Sequence, residues 1–102
     1  MPSEIMLEFE DENGSKEHRA YWGANLINRG TNNTESRCYL GGLPESSKWV
    51  RLVIPADTIG LTNTEIKGVS YVLYNGKASW DILALGLREF EFALDQGDSL
   101  QQ

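Results

Sequence analysis

Apolar and polar residues alternate along several short runs of this chain, and a two-residue period is typical of β-strands. Near the start, Ile5, Leu7 and Phe9 alternate with Met6, Glu8 and Glu10, so that one face of this run is apolar. Residues 49–54 repeat the pattern, so that one face of this run is apolar. Residues 67–74 form the most apolar run, with apolar side chains on both faces. The sequence therefore predicts that this run is a strand in the middle of a sheet, covered on both sides.

Two Asn-Gly pairs mark turns between these runs, and Asn-Gly is the strongest short-range signal for a tight hairpin. The first pair, at residues 13–14, separates the run at 5–9 from another at 18–22. We expect these two strands to pair as a hairpin. The second pair, at residues 75–76, follows the most apolar run and precedes a further run at 79–84. It predicts a second tight hairpin.

The last apolar segment, residues 87–94, fits two kinds of secondary structure. Phe90 and Phe92 would share one face of a strand, whereas Leu87, Phe90 and Leu94 fit helical spacing. Glutamate and alanine in this segment favour a helix. We favour the strand, and the helix stays open as the alternative.

The remaining segments complete an all-β pattern of about seven short strands. Residues 37–40 predict a short strand, residues 23–34 a loop, and residues 56–61 one helical turn. Short strands at regular spacing favour a sandwich. We therefore predict an antiparallel β-sandwich of jelly-roll type, with a single domain at residues 1–95 and a polar tail at 96–102.

Composition excludes some classes of binding partner, but it does not indicate a function. The chain has 102 residues and a net charge of −6, with a sequence pI near 4.6. Because no cluster of lysine and arginine offsets the negative charge, we expect neither nucleic-acid binding nor attraction to an anionic membrane. Cys38 is the single cysteine, so an intrachain disulfide or a four-cysteine zinc site is excluded. We expect its thiol to be buried and inert.

The start of the chain does not have the pattern of a signal peptide. Localisation stays unknown from the sequence, and an extracellular or cell-surface place would follow if the chain were cut from a longer parent.

No residue pattern predicts catalysis or a metal site. His18 is the only histidine, and no nucleophile-elbow motif accompanies it. Glu8, Glu10, Asp11 and Glu12 form an acidic edge, which we expect to be solvated. Calcium is conceivable there, but the spacing of an EF-hand is absent. We therefore expect a protein that is not an enzyme and carries no cofactor.

The aromatic residues point to a binding role. Tyr21 and Trp22 are adjacent in a predicted strand, so their side chains should point to opposite faces and one of them should be exposed. An exposed aromatic ring can stack on the C–H face of a sugar. The polar groups that could bind the hydroxyls are those of Arg19, Arg37, Asn25 and Asp81. The alternative is that Trp22, Trp49 and Trp80 simply fill a small core.

Several blocks of the chain resemble a known β-sandwich module, and the block Glu17-His18-Arg19-Ala20-Tyr21-Trp22-Gly23 is the most specific of them. The module occurs in large bacterial proteins, including planctomycete surface or cytochrome-associated proteins and repeat-rich secreted proteins. The resemblance implies a fold like that of carbohydrate-binding and lectin-like jelly rolls, and it implies no ligand residues. The matching blocks are residues 4–7, 17–27, 43–44, 49–52, 54–56, 60–61, 68–69 and 73–81.

The chain departs from this resemblance in two ways. The pattern lies in the C-terminal half of the longer modules, whereas here it begins at residue 4, and residues 82–94 do not follow the usual ending. A sandwich without some of its strands leaves edges that must be covered. We therefore expect homo-oligomers that form through edge strands.

Two functional hypotheses follow. The first is a non-catalytic carbohydrate-binding or lectin-like module that uses Tyr21 or Trp22. The alternative is a structural or protein–protein interaction module, completed by oligomerisation and without a sugar site. They differ in whether aromatic rings are exposed beside polar groups on one face.

Overall fold

The computed structural model describes residues 2–97, which form seven β-strands and one short 3-10 helix. The predicted all-β sandwich is confirmed. The strands are β1 (Glu4–Asp11), β2 (His18–Gly23), β3 (Cys38–Gly41), β4 (Trp49–Pro55), β5 (Ile66–Tyr74), β6 (Ser79–Leu85) and β7 (Glu89–Asp95), and the 3-10 helix is η1 (Ala56–Ile59).

The strands form two facing sheets of unequal width. One sheet has four strands in the order β3-β2-β1-β5, and the other has three in the order β4-β7-β6. Neighbouring strands are antiparallel, except that β3 runs parallel to β2. A parallel neighbour requires a long crossover connection, and residues 24–37 supply it. The two sheets are thus antiparallel, as predicted, apart from this one pair.

The core lies between β1 and β7, each of which pairs with a neighbour on both sides. Ile5, Leu7 and Phe9 of β1 are fully buried, as their alternation predicts. The ring of Phe9 stacks on Phe90 with 4.9 Å between centroids, and it meets Phe92 edge-on at 5.9 Å. Because Phe90 and Phe92 both point into the core from one face of β7, the preference for a strand over a helix in this segment is confirmed.

The helical turn predicted at residues 56–61 is also confirmed. It consists of η1, and Gly60 ends it with a left-handed φ of 75°. The Gly60 N–H reaches the carbonyl oxygens of Ala56 and Asp57. A side chain at Gly60 would meet only the flexible carboxylate of the exposed Glu35, so the left-handed backbone, and not lack of space, is what favours glycine here.

The second predicted hairpin is wrong. Asn75 and Gly76 do adopt the positive φ values of a tight turn, 65° and 70°. However, β5 belongs to the four-stranded sheet and β6 to the three-stranded sheet. The rings of Tyr71 and Trp80 stack at 4.8 Å between centroids, so the two strands face each other across the sandwich instead of sharing hydrogen bonds. The turn is a corner between the sheets.

The prediction that β5 lies in the middle of a sheet is also wrong. It pairs only with β1, so it is an edge strand, and β6 is likewise the edge of its own sheet. The Tyr71–Trp80 stack places these two edges on the same side of the sandwich. One whole side of the molecule is therefore bounded by two unpaired strand edges.

The residue that follows β7 contacts the segment before β4. Gln96, which we assigned to the polar tail, is buried, and its side-chain amide donates a hydrogen bond of 2.7 Å to the carbonyl oxygen of Pro44. The rest of the predicted tail, residues 98–102, lies outside the described residues. No helix within residues 2–97 has the length and apolar character to cross a membrane.

Candidate functional site

Tyr21 and Trp22 point to opposite faces of β2, as predicted, but neither is exposed. Trp22 packs in the core and is 6% exposed. Tyr21 lies on the outer face of the four-stranded sheet and is only 2% exposed. The loop of residues 24–37 covers this face, and the Tyr21 hydroxyl donates a 2.6 Å hydrogen bond to the Asn32 side chain. The expectation that one of the two rings is exposed is therefore wrong.

Three of the predicted site residues do come together beneath this loop. Arg37 Nε donates to Asn25 Oδ1 at 2.8 Å. The Arg37 guanidinium carbon lies 4.3 Å from the centroid of the Tyr21 ring, which is a cation–π contact. Because Arg37 is itself buried, this cluster holds the loop on the sheet and leaves the face of the Tyr21 ring no room for a sugar.

Glu4 is the residue on which this arrangement depends, and sequence analysis did not assign it to the site. Its buried carboxylate accepts a 2.6 Å hydrogen bond from Arg37 Nη2. The other oxygen accepts hydrogen bonds from the backbone N–H groups of Leu26 and Ile27, at 2.5 Å and 2.7 Å. The carboxylate thus pairs a buried charge and satisfies two loop donors at once. We name the cluster of Glu4, Tyr21, Asn25 and Arg37 the loop clasp.

Arg19, another predicted site residue, belongs to a second buried ion-pair network on the same face. Arg19 Nε donates to Glu8 at 2.7 Å, Arg29 reaches the same carboxylate at 3.2 Å, and Arg19 also bonds Glu17 at 2.8 Å. Burial alone raises the pKa of Glu8, but the contacts with Arg19 and Arg29 outweigh it and lower that pKa below its ordinary value. The expectation that Glu8 belongs to a solvated acidic edge is wrong.

The side chain of His18 is buried and forms hydrogen bonds with two neighbouring segments. Its Nδ1 lies 2.7 Å from the carbonyl oxygen of Ile59, and its Nε2 lies 2.9 Å from a carboxylate oxygen of Asp11. Both partners are acceptors, so either ring nitrogen has an acceptor within hydrogen-bond distance when it carries a proton. The bond to His18, with help from the backbone N–H groups of Ser15 and Asn13, lowers the pKa of Asp11. Within residues 2–97, no three His, Cys, Asp or Glu side chains are grouped to hold a metal ion.

Asp81, the last predicted site residue, lies far from the others. It is exposed on the outer face of the three-stranded sheet, opposite Ala93 in register. Trp49 is on the same face, paired with Asp95, and is 55% exposed. Trp80 is half-buried against the core. Core filling therefore accounts for Trp22 and Trp80 but not for Trp49.

Cys38 is half-buried, and it packs against the core as a free thiol. The thiol is therefore less covered than expected, and its inertness stays a prediction.

The largest unexplained feature is an apolar surface along β5 and β6, which we name the open edge. Ile82 and Leu85 pair with Phe92 and Phe90, so their side chains point to the core side of β6. They nevertheless remain exposed, because no strand lies beyond β6 to cover them. The residues of the open edge are Tyr71 (39% exposed), Ile82 (45%), Leu83 (50%), Leu85 (46%) and Leu87 (66%).

The free side of β6 has only partial protection as an edge strand, from the charge of Asp81 and from a bulge. Native edges carry charges or proline to block pairing with another chain. Residues 82–87 contain neither, although a bulge between Ile82 and Ala84 interrupts the ladder with β7. At the Leu85 end the surface continues into a depression of about 440 Å³, partly lined by Ile66 and Leu87. The run of apolar residues is visible in the sequence, but its exposure depends on the sheet topology.

The loop clasp yields a stability prediction. We expect Glu4→Ala to lower the free energy of unfolding by about 3–5 kcal/mol, because it leaves the Arg37 charge buried without a partner. The double variant Glu4→Leu with Arg37→Met should lose less, since it removes both charges. Urea denaturation followed by circular dichroism measures the difference.

The exposed ion pair of Glu45 and Lys48 provides the matched control. Glu45→Ala should change stability far less than Glu4→Ala, because water screens an exposed ion pair. A Glu4→Ala variant as stable as this control would contradict the role assigned to the clasp.

Comparisons with known protein families, with curated proteins and with solved structures gave no match. The resemblance to a bacterial sandwich module therefore stays a prediction from the sequence.

Proposed function

We propose that this chain is a non-catalytic interaction module that binds a β-strand of a protein partner along β6. The observation that carries the proposal is the open edge, where five large apolar side chains are exposed together on one side of the sandwich. Single exposed apolar residues are ordinary, whereas a contiguous apolar patch marks an interaction surface.

The sheet topology supports a strand as the occupant. A strand added beside β6 would widen the three-stranded sheet to four strands, which equals the sheet that faces it. The free backbone groups of β6 would supply main-chain hydrogen bonds, as in other cases of strand addition. Side chains of the added strand would cover Ile82 and Leu85, which already point to the core side.

The apolar surface also has the energetic scale that association requires. Fully burying a leucine or isoleucine side chain is worth about 1.5–3 kcal/mol, so burying the exposed half is worth about 1 kcal/mol. Ile82, Leu83, Leu85 and Leu87 are each exposed by about half or more. These contributions and the new ladder hydrogen bonds oppose the entropy lost on association.

A displayed library of ten-residue peptides tests this function. Selection on the immobilised full chain should enrich peptides with alternating apolar residues, since alternate side chains of an added strand face the open edge. Leu83→Lys should abolish their binding, because a charge on an edge strand blocks pairing. Binding of purified peptides is measured by fluorescence anisotropy.

Val53→Lys is the matched control, since Val53 is an exposed apolar residue of β4, at the opposite edge of the same sheet. This variant should retain binding. Selected peptides without an alternating pattern, or peptides that bind the Leu83→Lys variant equally well, would contradict the proposal.

Carbohydrate binding is a second candidate, and the exposure of Trp49 favours it. Its ring is accessible on the outer face of the three-stranded sheet, with Asp95 opposite it in register. Asp81 lies one row further along the same face, in register with Ala93 and Arg51, and the Arg51 side chain forms an ion pair with Glu91. A sugar could stack on the Trp49 ring while these carboxylates accept hydrogen bonds from its hydroxyls. This surface is separate from the open edge, so the two functions are compatible.

Tryptophan fluorescence with acrylamide quenching tests this candidate, with a panel of soluble oligosaccharides and polysaccharides. We expect one sugar class to protect the fluorescence of Trp49 in the unmodified chain. Trp49→Ala should remove the protected signal, whereas Trp80→Phe, a change at a half-buried position, should retain it. If no sugar changes the quenching, the hypothesis fails.

A further inference from the structure

We propose that His18 is a pH-sensitive device, which holds the 3-10 helix η1 against the four-stranded sheet while its ring is protonated and weakens this contact when the ring is neutral. β1 ends at Asp11 and β2 begins at His18. His18 lies opposite the buried Phe9 in register, so its side chain is on the core side, at one end of the sandwich. We name the side chains of His18 and Asp11 and the carbonyl group of Ile59 the histidine bridge.

The ring has two hydrogen-bond partners among residues 2–97, and both are acceptors. Nδ1 lies 2.7 Å from the carbonyl oxygen of Ile59, and Nε2 lies 2.9 Å from Asp11 Oδ2. The pKa of Asp11 is lowered, mainly by its bond to His18, so its carboxylate is ionised at neutral pH and can only accept. A neutral imidazole carries one N–H and binds one of these partners, whereas an imidazolium binds both.

Loss of one proton from the ring breaks the contact with η1. A nitrogen lone pair then faces an oxygen lone pair, and His18 is only 7% exposed, so water has little room to intervene. The carboxylate of Asp11 is a stronger acceptor than a backbone carbonyl, because its charge strengthens the hydrogen bond. The remaining proton therefore stays on Nε2, and Ile59 loses its donor from the ring.

The carboxylates near the histidine bridge favour the protonated ring and oppose the cost of burying its charge. Asp11 is the one residue of the segment 2–97 that forms an ion pair with His18. Glu35, from the loop of residues 24–37, places its carboxylate beside Gly60, directly after Ile59. The other charged residues of the surrounding elements are the exposed Asp57 of η1, the exposed Lys16 and Glu17 before β2, and Arg19, which is paired with Glu8 and Glu17.

The attachment of η1 affects the packing of both sheets, because this helix lies in the segment that connects them. It follows β4 of the three-stranded sheet and precedes β5 of the four-stranded sheet. Ala56 and Ile59 are fully buried, and the Ala56 N–H donates to the carbonyl oxygen of Arg88, between β6 and β7. Weaker attachment at Ile59 therefore lowers the stability of the folded chain.

The histidine bridge stabilises the folded chain on the acidic side of the ordinary histidine range. The folded chain gives the imidazolium two acceptors that the unfolded chain does not hold in place. This stabilisation is complete below about pH 6.5 and is lost as the pH rises above that value. Asp11 acts in a lower range, since its lowered pKa stabilises the folded chain until acid protonates the carboxylate.

Urea denaturation of the full chain between about pH 5.5 and pH 8 tests the proposal, because histidine is the side chain that ordinarily titrates there and the chain has one. We expect the unfolding equilibrium constant to be about tenfold larger at pH 8, the scale of one hydrogen bond to a charged group. His18→Asn should lose this dependence, since its amide does not titrate. Glu12→Gln, at an exposed acidic position in the turn after β1, is the control and should retain it.

Nuclear magnetic resonance of the imidazole in the unmodified chain provides a second test, which does not require His18→Asn to fold. At pH 5.5 we expect two ring N–H signals, both protected from exchange with water. The Nδ1 proton should be lost at higher pH, together with changes in the backbone signals of residues 56–60. A ring that is neutral at pH 5.5, a titration that leaves residues 56–60 unchanged, or equal stability at pH 5.5 and pH 8 would overturn the proposal.

Discussion

The packing of a four-stranded sheet against a three-stranded one determines the character of this molecule. β1 and β7 lie opposite each other, and the stack of Phe9 on Phe90 joins them in a dry core. On the side of β5 and β6, both sheets end without a further strand. Apolar side chains that point to the core side of β6 are therefore left in contact with solvent, and the lack of one strand accounts for the position and chemistry of the open edge.

The outer face of the four-stranded sheet is covered in another way. Here β1 presents Glu4 and Glu8, and the loop of residues 24–37 covers them with arginine side chains and backbone N–H groups. Buried ion pairs hold such a loop in one position, because removal of either partner leaves an uncompensated charge. Tyr21, Asn25 and Arg37, which the sequence suggested for a sugar site, therefore help to hold the loop that covers this face.

Local patterns in the sequence predicted most of the strands, because alternation reports directly which side chains face the core. The same patterns could not assign strands to sheets. The Asn-Gly turn at residues 75–76 has identical local chemistry whether the next strand pairs with β5 or crosses to the other sheet. The sequence also could not predict that Tyr21 is buried. Nor could it predict the ion pair of Glu4 with Arg37, because these residues are 33 positions apart and meet only through the fold of the loop.

Hydrogen–deuterium exchange of the full chain with and without a selected peptide measures most directly whether β6 is completed by a partner strand. Free backbone N–H groups of an edge strand exchange readily, and pairing protects them. The account predicts that fragments covering residues 79–85 exchange more slowly when the peptide is bound, while fragments covering β4 at the opposite edge do not change. Equal exchange of residues 79–85 with and without the peptide would contradict it.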